Sequence, residues 1–336
     1  CVVRAGTRGS GGSERARRDV CGGVSCAGRE RCGRHRCGGG LRGSAECRCC
    51  GYSGDVGGGI IVEVDDITDA DINNILSKHD RAGDQAISYS EFKNIIQLIK
   101  VNLPIVDFAD VNKNTKKFCV VRHDIEFSID RALTMARMEH DDLGVHSTYT
   151  VQLRNNTYNA LSQKNIEAIQ EIEEMGHYIG LHQNPPMMDD DELVDYILKD
   201  IETLEHYYGF EVDRFAFHRC GSNPGILEKY VEVPNKINCY AKDFFHYFSG
   251  EKPEDLRVHY LADSNHEWKY GHPFHVDYWD IPQKMQLLTH PYSWTDEGYE
   301  NTDNYTELIT ERNEELVHSM NTETKTFPKE ILEGVR

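Results

Sequence analysis

From Phe118 to the C-terminus, short apolar runs alternate with stretches of helical periodicity, and this alternation narrows the fold more than any other feature. Phe118-Cys-Val-Val-Arg122 reads as a strand covered on both faces. Ser128 is placed to cap a helix running to about Met138, with Ile129, Leu133 and Ala136 on one side. After Gly144, Val145 to Leu153 is strand-like. Ser162 opens a helix with Ile166, Ile169 and Ile172 in one row, closed by Gly176, and Tyr178 to Leu181 is the next strand. Past Pro185-Pro186, Leu193, Ile197, Ile201 and Leu204 stripe a long helix. Arg214–Phe217, Val258–Ala262 and Met285–Thr289 are further strands, and a last amphipathic helix is expected between Asp303 and Met320. Alternating β and α units imply a parallel sheet, so an α/β domain of barrel-like form is expected.

Polar residues gather where these strands stop. His123-Asp124-Ile-Glu126 follows the first, His182 ends the strand after Gly176, and His218-Arg219 follows Phe217. Asp263 comes next, before Trp268, and then His290-Pro291. In α/β barrels the C-terminal strand ends converge on one mouth, so Asp124, His182, His218 and His290 are expected in a single cleft. Carboxylates with imidazoles make an oxygen and nitrogen site for a divalent cation with an open position. A spare Asp can act as a base toward water and a spare His as an acid toward a leaving group, the equipment for amide or ester hydrolysis. No G-x-S-x-G elbow and no phosphate-binding Gly loop occurs after residue 59, which removes support for serine esterase or nucleotide chemistry. His140, His206 and His246 read as surface residues.

The N-terminal part differs in kind. Residues 1–59 hold 11 Arg, no Lys, 5 acidic residues, 17 Gly and 8 Cys, a net charge of about +6. With almost no long apolar side chain they cannot offset chain entropy, so a disordered tail is expected. The chain opens on Cys1 and not on Met, which reads as a fragment or an imperfect gene model. Residues 60–105 read as a helix-loop-helix. Asp80, Asp84, Ser88 and Glu91 fall at loop positions 1, 5, 9 and 12 of a pattern that resembles an EF-hand and would suit calcium. Ala82 lacks a side-chain oxygen at position 3, and Gln85 stands where Gly gives the sharp turn. Residues 106–336 form the expected barrel domain.

The 336 residues carry a net charge of −19. Beyond residue 59 there are 26 basic and 51 acidic residues, or −25. That balance argues against nucleic acid or an anionic membrane as partner, and no apolar run approaches the ~20 residues of a membrane span. The sequons Asn155-Asn-Thr157 and Asn304-Tyr-Thr306 are compatible with secretion.

Four segments together carry a family resemblance: Val120-Val-Arg-His-Asp124-Ile-Glu126, Gly176-His-Tyr-Ile-Gly-Leu-His182, Phe215-Ala-Phe-His218-Arg219 and Leu287-Leu-Thr-His290-Pro291. They resemble the polysaccharide deacetylases (carbohydrate esterase family four), in a divergent deacetylase-like branch. The resemblance implies a distorted (β/α) barrel of about seven strands and a metal-dependent deacetylase of N-acetylated sugars, with zinc the usual ion. It implies Asp124 as base, His290 as acid and Arg219 as the cation that orients the base. It places Glu126 and His182 on the metal and Asp263 and Trp268 on the substrate pocket. The family's second metal His falls on Pro186 here, which leaves His177, His218 or no side chain for that role. His218 completes the metal set carried forward, since strand alternation points His177 away from His182. The alternative function is a catalytically inactive glycan-binding barrel, with calcium responsiveness from the helix-loop-helix.

Overall fold

A computed structural model describes residues 87–245, 258–268, 270–276, 283–328 and 330–331. The expected tail, the first helix of the helix-loop-helix, Asp80, Asp84 and His246 lie outside these residues.

Helix α1 (Tyr89–Asn102) leads into β1 (Phe118–Ile125), α2 (Ile129–Met138) and β2 (Thr148–Val151). Then come α3 (Gln163–Glu174), β3 (Tyr178–Gln183), α4 (Asp190–Tyr208) and β4 (Arg214–Phe217). The chain continues through the short α5 (Ile226–Lys229), β5 (Ile237–Asn238), β6 (His259–Ala262), β7 (Lys284–Thr289) and α6 (Asn301–Glu323). The strands form one 7-stranded sheet in the order β5-β4-β3-β2-β1-β7-β6, and each pairing is parallel. This is the α/β architecture of a distorted (β/α) barrel: a curled half-barrel of seven strands with helices outside. β5 and β6 do not pair, yet the curl brings their ends together. Phe245, just beyond β5, packs on Tyr260 of β6 with ring centroids 5.0 Å apart.

The helices form where apolar spacing and caps coincide. Ser88 and Ser128 each accept a hydrogen bond from the backbone N–H three residues on, capping α1 and α2. Ser162 precedes α3 as expected, but its hydroxyl donates to the Asn159 carbonyl instead of capping the helix. The second strand is shorter than Val145–Leu153 because a one-turn π-helix, Glu139–Leu143, and Gly144 at φ 56° delay the sheet. The two-residue β5 is too short to show a period and had no counterpart in the sequence reading.

Alternation divides β1 between two apolar clusters. Cys119 and Val121 face outward with Met285 and Leu287 of β7, against Phe92, Ile95, Ile96 and Ile99 on one face of α1. Phe118 and Val120 point into the lumen. Each such side chain, fully buried, contributes roughly 1.5–3 kcal/mol.

One polar cluster is sealed into the outer layer. Glu139, 0% exposed, meets His123 Nε2 at 3.0 Å and accepts from the Ser147 and Tyr149 hydroxyls, each at 2.8 Å. His177 lies beside it, accepting from the Ser147 N–H and bonded through Nε2 to the Ala136 carbonyl. Burial pushes the Glu139 carboxyl up, but His123 beside it more than offsets this and holds it below its ordinary value. Because the folded value is depressed, this stabilisation is present above the unfolded carboxylate pKa of about 4.3 and fades as pH falls below it. Removing one partner from such a buried set costs about 3–5 kcal/mol. Glu139→Ala should show that loss at neutral pH in urea unfolding. A loss under about 1 kcal/mol, the worth of one ordinary hydrogen bond, would show that the cluster does not hold β1 and β2 to the π turn.

Candidate functional site

A cleft of about 460 Å³ opens at the C-terminal ends of the strands, lined by Asp124, Glu126, His182, His218 and His290 among others. Strand geometry delivers these groups. Asp124 and His182 occupy the last inward-facing positions of β1 and β3. Glu126, His218 and His290 each stand one residue beyond a strand. Aromatic residues make the inner wall, with Tyr240, Phe245 and Tyr260 all buried there.

Glu126, His182 and His218 each turn one donor atom to a common point, all within 4.8 Å of one another. His218 Nδ1 stands 3.1 Å from His182 Nε2 and 3.1 Å from Glu126 Oε1. Donors around a tetrahedral zinc at ~2.0–2.1 Å lie about 3.4 Å apart, so the set fits a divalent cation. Burial lowers His182 to about 4, leaving its ring neutral and its lone pair available. Glu126 is held from behind: Asn155 Nδ2 donates to its backbone carbonyl at 2.7 Å, and the Tyr158 hydroxyl donates to the Ile125 carbonyl at 2.9 Å.

Asp124 is 2% exposed and sits 3.7 Å from His182 Nε2. Burial raises its pKa, but the Arg122 guanidinium, with His182 and His290, overcomes this and holds the carboxyl well below the usual carboxylate range. Arg122 Nε lies 2.9 Å from Oδ1, Nη2 donates to Oδ2 at 3.2 Å, and the Thr150 hydroxyl donates to Oδ1 at 2.7 Å. The sequence reading missed both partners. Arg122 is two residues before Asp124 on the same strand face, and Thr150 is its register neighbour on β2. An arginine closing an otherwise apolar strand run was the available signal.

His290 Nε2 stands 3.8 Å from Glu126 Oε1. Its Nδ1 lies 2.6 Å from Asp263 Oδ1, and Asp263 Oδ2 accepts from the His290 N–H and the Trp294 indole. Burial lowers the imidazole's pKa, yet Asp263 outweighs it and lifts the value to about 9, so the ring keeps its proton at neutral pH.

Three expected assignments differ from this geometry. Arg219 lines the cleft rim, exposed and at φ 49°, while the cation on Asp124 is Arg122. Asp263 is fully buried behind His290 with both oxygens engaged, so it does not face the cleft. Trp268 packs on His272 and Trp294, with centroids 5.3 and 6.4 Å away, and the cleft is lined instead by Tyr260, Ser264, Asn265 and Tyr270. His177 belongs to the Glu139 cluster on the opposite strand face. Of the expected calcium residues that are described, Ser88 caps α1 and Glu91 meets His272 Nε2 at 3.1 Å. Asn304 of the second sequon is fully buried and accepts from Arg131 at 2.6 Å. No helix among the described residues is long and apolar enough to cross a membrane.

No family profile and no curated protein matches the chain. Solved structures do. The Xyl-CE4 domain of a multidomain xylanase from the hindgut metagenome of Trinervitermes trinervoides is 12% identical, covering 61% of this chain and 85% of that one, with a TM-score of 0.34. The chitin deacetylase of the fungal pathogen Colletotrichum lindemuthianum is 13% identical over 58% of this chain and 81% of that one, with a TM-score of 0.31. A CE4 family pseudoenzyme from Bacillus anthracis is 17% identical over 61% and 63%, with a TM-score of 0.32. At these values the fold is read from the chain's own strand order, and the chemistry from its own side chains.

Deleting one partner of a buried ion pair costs about 3–5 kcal/mol, because the other charge is left unpaired. Arg122→Met should lose about that much stability, and adding Asp124→Asn should recover a large part of it. Additive losses in the double-mutant cycle would show that the pair is not coupled.

Proposed function

We propose that the chain is a metal-dependent hydrolase that removes acetyl groups from N-acetylated sugars. One observation carries the reading. A carboxylate held ionised, an imidazole held protonated and a convergent three-donor cation set line the same cleft. The glycan comes from the motif resemblance, and an acidic body suits a neutral or cationic glycan such as chitin or its deacetylated product.

Glu126, His182 and His218 are the residues that would hold the ion, and an oxygen and nitrogen set with two imidazoles favours zinc. A divalent ion there supplies Lewis-acid polarisation of the acetyl carbonyl and of a water. Asp124 takes the proton of the attacking water, and Arg122 and Thr150 keep its lone pairs aimed and ionised. As the amide C–N bond breaks, His290 Nε2 gives its proton to the leaving nitrogen. Asp263 holds the ring by Nδ1, which fixes its orientation and stabilises the cation until transfer. The products are acetate and the free amine.

A general acid or base is typically worth about 10²–10⁴ in rate. Asp124→Asn should therefore bind zinc, cobalt or nickel as the parent does but release acetate from chitin oligosaccharides at least about 100-fold more slowly. His218→Ala should lose the metal itself, by metal analysis of the purified protein. Parent-like turnover in Asp124→Asn removes the base from the mechanism. A parent that binds chitin oligosaccharides and no metal is the inactive glycan-binding barrel, the reading that Pro186 favours.

A further inference from the structure

The three convergent donors are not held alike. His182 lies within the β3 ladder, and the His218 N–H extends that ladder by donating to the Gln183 carbonyl at 2.7 Å. Glu126 stands past the end of β1 and reaches the same point on a long side chain that loses much rotamer freedom when fixed. Binding constellations need their groups held to within about 0.5 Å. Something outside β1 has to supply that precision for Glu126.

The segment after β2 does so. Asn155 Nδ2 donates to the Glu126 carbonyl, and the Tyr158 hydroxyl donates to the carbonyl before it, Ile125. Both donors are themselves fixed. Asn155 Oδ1 accepts from the Thr157 N–H at 2.7 Å and from the Thr157 hydroxyl at 2.6 Å, an Asx turn that leaves Nδ2 aimed at Glu126. The buried Tyr158 hydroxyl accepts from the Gln152 N–H at 2.9 Å. Asn155-Asn-Thr157 is also the first sequon. A glycan would attach to Asn155 through Nδ2, the atom that here grips Glu126.

We propose that the segment 155–158 is a clamp for the metal carboxylate. Asn155 and Tyr158 are positioning residues that set the affinity of Glu126, His182 and His218 for their ion, and Thr157 orients Asn155, which serves the clamp and not a glycan. The inference rests on the metal reading above. Outer partners of metal ligands are typically worth about 10–100-fold in metal affinity. The test is competition for zinc between the full chain and a chromophoric chelator, with thermal unfolding of the metal-free protein alongside. Asn155→Ala and Tyr158→Phe should each weaken zinc about 10–100-fold. Thr157→Val, an isostere without the hydroxyl, should weaken it about tenfold, and Thr157→Ser, which keeps the hydroxyl, should bind as the parent does. Asn156→Ala, exposed between them, should also match the parent. A merely structural segment would lower the unfolding temperature and leave the zinc affinity of the folded protein at the parent's value. That result, equal losses in Thr157→Val and Thr157→Ser, or a glycan found on Asn155 by peptide mass spectrometry overturns the clamp. A parent that takes up no zinc removes the metal reading and the clamp together. A parent that binds zinc tighter than the clamp variants but releases no acetate keeps the clamp and loses the hydrolase.

Discussion

The Arg122–Asp124 pair is the constraint around which the lumen is arranged. Two charges taken from water into an apolar interior cost several kcal/mol each, and only close pairing with further hydrogen bonds offsets this. Arg122 accordingly spends its remaining donors on Gln286 Oε1 at 2.9 Å and on the Tyr240 hydroxyl at 2.7 Å. Gln286 in turn donates to the Cys239 and Phe244 carbonyls, each at 2.9 Å. The ion pair on β1 thereby ties β7 to the chain beyond β5, which stands at one end of the described sheet. Satisfying one buried guanidinium and curling the sheet are the same set of bonds.

The same principle, applied with opposite sign, sets His290 apart from Asp124. Both are buried, yet one is flanked by a guanidinium and the other by a carboxylate. Burial alone would leave both groups neutral. The partners reverse this in each case, so an ionised acid and a protonated base face each other across one cleft. Groups whose environments push their proton affinities apart are what proton-transfer catalysis needs.

Much of this was legible in the sequence. The strand and helix order from Phe118 to the last helix followed from runs and periods, because strands buried on both faces are apolar throughout and their helices carry one apolar stripe. The gathering of Asp124, Glu126, His182, His218 and His290 in one cleft followed from their places at strand ends. What could not be read was which side chain touches which. Arg219 and Arg122 are equally close to the cleft along the chain, and only alternation on β1 puts Arg122 against Asp124. Trp268 follows a strand end as the site residues do, but aromatic surface there finds Trp294 and His272 before it finds the cleft. Asp263 looked like a wall residue because sequence gives position and not direction.

The close approach of His182 and His218 has a geometric explanation in register. His182 on β3 pairs with Ala216 on β4, and Gln183 with Phe217. One residue further, the His218 N–H still donates to the Gln183 carbonyl at 2.7 Å, so the ladder is kept past the strand's formal end. Arg214, Ala216 and His218 therefore share the inward face with Gly180 and His182, and two imidazoles on neighbouring strands meet 3.1 Å apart without help from a loop. The segment after β3 carries two successive prolines, whose fixed backbone makes a rigid wall. With the two imidazoles brought together by strand register, that segment supplies none of the three convergent donors, and the space it walls lies directly beside His182.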